Sequence, residues 1–131
     1  MSTEPVQVRL AGLDKLDARR IQGDIPDGVM FEEEELTSDK AGEPVTVIAV
    51  IALTALGLKT IGQWLMKQRQ HGVLEYTVET VHEDGRREKR VVKLENLSST
   101  PGSKEVIQAV GESLSLDPSL VKAATGLLGG N

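Results

Sequence analysis

The sequence predicts an α+β fold: a four-stranded sheet ordered strand, helix, strand, helix, hairpin, with the helices on one face and a helical C-terminal tail. Three observations carry this expectation. Val6-Gln7-Val8-Arg9-Leu10 alternates apolar and polar side chains with the period of a half-buried strand. Two strand-like runs flank Glu83-Asp84-Gly85, the pattern of a hairpin. Between them, residues 45–69 form a long apolar segment whose second half is spaced as an amphipathic helix.

The elements follow in order. After the first strand, Leu13, Leu16, Asp17, Arg20 and Ile21 repeat at helical spacing until Gly23 and Pro26-Asp27-Gly28 close a short helix with a turn. Val29-Met30-Phe31 then starts a strand that runs into Glu32-Glu33-Glu34-Glu35-Leu36. Four like charges suit a sheet edge, where they deter a further strand from adding. A second reading of the glutamates is a docking site for a basic partner or a cation. Residues 37–44 form a polar loop whose Pro44 suits the start of a helix.

The segment over residues 45–70 is read as one long helix. Leu58, Ile61 and Leu65 mark its apolar face, and Lys59, Gln63, Lys67 and Gln70 its polar one. Its first half is apolar all round and rich in β-branched residues, so a buried strand is an alternative there. A second alternative is a membrane-inserted helix over residues 45–66. The apolar stretch ahead of Lys59 covers only about 21 Å at helical rise, against the roughly 30 Å of a bilayer core. Reaching Met66 brings Lys59 and Gln63 into the membrane. Gly72 supplies a helix stop after the basic turn of Lys67 and Arg69.

The hairpin occupies residues 73–95, and two registers compete for it. A two-residue Asp84-Gly85 turn pairs Tyr76 with Lys93 and mixes apolar with charged side chains. A three-residue loop with Gly85 at positive φ pairs Leu74 with Leu94, Tyr76 with Val92, Glu75 with Lys93 and Glu79 with Lys89. The second satisfies both faces and is predicted. Ser98-Ser99-Thr100-Pro101-Gly102 reads as a linker, which divides the chain into residues 1–97 and a tail of residues 98–131. Ser103 can cap a short helix through about Val110. Asp117-Pro118 starts another, running to about Leu128, with Leu120, Val121, Ala124, Leu127 and Leu128 as an apolar stripe that packs on the domain, the commoner role of such a stripe, or binds a partner or touches a membrane.

Composition bounds the function. At 131 residues, 39% hydrophobic with one Phe, one Trp and one Tyr, the chain fits one domain with an aliphatic core. Fifteen basic against twenty acidic side chains give a charge of −5, and no basic run is interleaved with aromatics, so nucleic acid is not an expected partner. Without cysteine there is no disulfide and no thiolate metal site. The opening MSTEPVQVRL lacks the features of a secretory signal, which predicts a cytoplasmic protein; the membrane alternative places it in the inner membrane. His71 and His82 are the only histidines, and the adjacent residues of His82-Glu83-Asp84 do not converge on one point as a metal or acid–base site requires. No nucleophile elbow, phosphate loop or dinucleotide fingerprint is present. No enzyme activity and no cofactor are expected.

The order of elements resembles that of the small "effector-associated constant component" proteins found beside effectors in bacterial conflict systems. The resemblance rests on Leu53-Thr54-Ala55-Leu56-Gly57-Leu58, on Gln63-Trp64-Leu65 followed by Lys67 and Arg69, and on Glu83-Asp84-Gly85-Arg86 between two strands, over about residues 6–96. It implies a non-enzymatic accessory part of a defence or regulatory system. The glutamate run and the tail depart from that pattern. Taken together, the expectation is an adaptor that binds a protein partner or itself through the tail stripe (Leu120, Val121, Ala124, Leu127, Leu128) or the glutamate strand (Glu32, Glu33, Glu34, Glu35).

Overall fold

A computed structural model describes residues 5–33, 46–70, 72, 74–94 and 103–127. The element order is β1 (Pro5–Leu13), α1 (Lys15–Asp24), β2 (Val29–Glu33), β3 (Val47–Ala52), α2 (Ala55–Gln70), β4 (Glu75–His82), β5 (Arg87–Lys93), α3 (Ser103–Ser113) and α4 (Pro118–Gly126). The α+β class stands, but the sheet has five strands, in the order β2-β3-β1-β4-β5, with every neighbouring pair antiparallel.

The fifth strand comes from the segment read as one helix over residues 45–70. Residues 47–52 pair with β1 on one side and β2 on the other, and the helix starts only at Ala55. Thr54 makes the break. Its carbonyl accepts from Leu58 N–H (2.9 Å) and its hydroxyl from Gly57 N–H (3.0 Å), which closes the first turn. Four β-branched residues in 47–52 favour the strand over a helix continuing through them. The membrane alternative over residues 45–66 therefore describes a strand followed by a helix. Among the described residues, no helix is long and apolar enough to cross a membrane.

One hydrophobic cluster joins all the helices to one face of the sheet. It contains Val8, Leu10, Ala49, Ile51, Val78 and Val92 from the strands, Ile21 from α1, Leu58, Ile61 and Leu65 from α2, Val106, Ile107 and Val110 from α3, and Ala124 from α4. The segment read as a separable tail thus contributes side chains to the central core. Gly62 of α2 allows the close approach of α3, since a Cβ there would lie 2.5 Å from Ile107 Cγ1. Between α2 and β4, the rings of Trp64 and Tyr76 meet edge to face at 4.9 Å, and the Tyr76 hydroxyl donates to the carbonyl of Ala11.

The hairpin adopts the register with the three-residue loop. Glu75 pairs with Lys93, Tyr76 with Val92 and Glu79 with Lys89, Leu94 N–H donates to Leu74 O, and Gly85 has φ +89°. In the loop, the Arg86 N–H donates to the Asp84 carboxylate (3.1 Å). Together with the nearby guanidinium, it holds that carboxyl below its ordinary range. Asp117 caps α4 by accepting from Ser119 N–H, with Pro118 in the first turn as the sequence predicts.

Candidate interaction surface

Strand residues alternate between two faces, and the registers assign each side chain to one of them. The side opposite the helices carries a row that crosses all five strands: Met30, Val50, Arg9, Glu79 and Lys89. Val50 is only 5% exposed although it stands outside the hydrophobic cluster. Arg9, its register partner on β1, reaches over β3 to β2. The Arg9 guanidinium donates from Nη1 to Glu32 Oε2 at 2.7 Å and lies 3.0 Å, through Nε, from Glu79 Oε1. Arg87 Nη1 approaches the same Glu79 oxygen at 3.7 Å. Charges of alternating sign therefore run from β2 to β5, anchored on an arginine side chain only 11% exposed.

This face is the candidate surface. No helix of the described residues joins its row in the core cluster, and it presents Met30 at 63% and Val91 at 43% exposure beside those charges. Its β5 side is basic through Arg87, Lys89 and Lys93. Glu79, directly opposite Lys89, is held by Arg9 and Arg87, so Lys89 makes no ion pair among the described residues.

The residues singled out from the sequence separate. Glu32 lies on the sheet-edge strand β2, its side chain 45% exposed and paired with Arg9. Glu33 ends that strand, while Glu34 and Glu35 lie outside the described residues. Of the tail stripe, Ala124 is fully buried, and Leu120 and Val121 are half-buried against the core. Leu127 is exposed, and Leu128 lies outside the described residues, as do His71 and the linker at residues 98–102. Arg9 was not visible from sequence as more than the polar member of an alternating strand. Its importance depends on which strands flank β1, and no local signal carries that.

Depressions among the described residues lie on the helical side. A cleft of about 130 Å³ separates α1 from α2, bridged by Lys67 Nζ and Asp17 Oδ1 at 3.0 Å and lined also by Arg20, Gln63 and Trp64. An open groove of about 680 Å³ runs between α3 and α4 past Lys104, Gln108, Glu112 and Lys122. His82 Nε2 lies 3.4 Å from Glu88 Oε2, at the hairpin end. Among the described residues, no group of three or more His, Cys, Asp or Glu could hold a metal ion. No protein-family model, no curated protein and no solved structure matches the chain.

Proposed function

We propose that the chain is a non-enzymatic protein-binding module that works through the side of its sheet opposite the described helices, including the edge that carries the glutamates. The observation that carries this reading is the ordered ion row centred on Arg9. A guanidinium clamped between carboxylates from strands on either side of β1 has already lost its rotamer freedom, so a partner docking there does not bear that ordering cost. Exposed Met30 and Val91 supply apolar contact beside it. The helical side supports a different role, since its apolar stripes are directed into the core. The same reading makes the chain an accessory component in the cytoplasm of a bacterial conflict system, as the resemblance implies.

A photoreactive side chain placed at position 30 in one variant and at position 127 in another tests this. Irradiation in the native host should give discrete covalent adducts from position 30. Adducts from position 127 alone, or none from position 30, would contradict the proposed surface.

A further inference from the structure

Among the described residues, the sheet ends in two edges that complement each other in direction, ladder phase and charge. Because all four pairings are antiparallel, β2 and β5 point the same way. A second copy displaced along the sheet therefore sets its β2 beside β5 of the first in parallel, with both helical layers on one side.

The hydrogen-bonding phase fits this arrangement. Ala52 N–H donates to Gly28 O at 3.0 Å, and alternation from that pair turns the backbone groups of Val29, Phe31 and position 33 outward. Leu94 N–H to Leu74 O and His82 N–H to Arg86 O likewise turn those of Arg87, Lys89, Val91 and Lys93 outward. In a parallel ladder an outward residue faces an inward one, and side chains opposite each other share a face. Phe31, packed on the core side, thus requires Glu88, Arg90 or Val92 opposite it. Placing Glu88 or Val92 there sets Glu32 beside Lys89 or Lys93, an opposite-charge neighbour in either register, while Arg90 stays 3.3 Å from Glu88 of its own strand. Pairing of β2 with β2, or of β5 with β5, opposes like charges instead.

We infer that copies of this chain assemble head to tail, β2 of one extending the sheet of the next at β5, in an open contact that does not close on itself. The inference rests on the binding-module reading and names its partner as a second copy.

Sedimentation velocity at rising concentration and low ionic strength tests it on the full chain. The weight-average mass should climb past that of two chains and fall again with added salt. Glu32→Lys with Glu33→Lys makes both edges basic, and Lys89→Glu with Lys93→Glu makes both acidic. Each variant alone should remain monomeric, and an equal mixture should regain assembly by alternation. Val91→Pro removes an outward N–H without touching the β4–β5 ladder, so it should stay folded by circular dichroism yet lose assembly. A wild-type chain that stays monomeric throughout, or one whose assembly survives Val91→Pro, overturns the inference. Adducts from position 30 to a different protein, with a monomeric chain, would overturn self-assembly while leaving the binding-module reading intact.

Discussion

Arg9 and Glu32 stand on strands that do not neighbour each other, yet their side chains meet at 2.7 Å over β3, the strand between. One side chain therefore ties three strands together. Arg9→Ala should leave Glu32 without its cation and Glu79 with only the more distant Arg87. The expected loss is about 2 kcal/mol, combining lost packing with a broken charged hydrogen bond. Urea denaturation measures it, and a change below about 0.5 kcal/mol, the range of an ordinary surface substitution, would show that the contact does not stabilise the sheet.

Gly62 and Ile107 set the distance between α2 and α3. Gly62→Ala gains about 1 kcal/mol of helix propensity but forces a Cβ to within 2.5 Å of Ile107 Cγ1, so overpacking of about 1–3 kcal/mol should leave the variant destabilised. Combining it with Ile107→Ala should reveal favourable coupling, since the second change removes the clashing atom. Strictly additive effects would place α3 farther from α2 than described.

The hairpin was legible because both of its faces vote for one register, with Tyr76 against Val92 and Glu79 against Lys89. The last helix was legible because Asp117-Pro118 has a local capping mechanism. Residues 47–52 were misread for a physical reason. A strand in the sheet interior, with core below and Val50 buried on the opposite face, shows no alternation, so it joins the helix behind it into one apolar run. Only Thr54 marks the boundary, and threonine is common elsewhere. The tail stripe was visible as a stripe, but periodicity says that a face is buried without saying against what.

Gly85 turns the hairpin at φ +89°, and nothing lies within 4 Å of where a Cβ would stand. Gly85→Val should thus cost on the order of 1–2 kcal/mol from backbone strain alone. Gly85→Asn should cost markedly less, since asparagine tolerates positive φ. Thermal unfolding of the pair checks this, and equal losses would assign the cost to something other than the backbone.

Removing residues 98–131 should unfold the sheet, contrary to what a separable tail would do. Val106, Ile107, Val110 and Leu114 are at most 1% exposed. Their burial contributes roughly 6–12 kcal/mol at about 1.5–3 kcal/mol each, which is comparable to the whole stability of a typical domain. Near-ultraviolet circular dichroism of the 1–97 fragment should show no fixed environment for Trp64, and a cooperative thermal transition in that fragment would refute the shared core.

Amide hydrogen exchange on the intact chain tests the core shared by the sheet and the C-terminal helices most directly. The amides of Ile107 and Val110 in α3 should exchange only through global opening, at protection factors matching those of Val8 and Val78 in the sheet. Exchange at α3 orders of magnitude faster, with the sheet still protected, would mean that the C-terminal helices detach on their own, and it would return the tail stripe to the place of partner-binding surface.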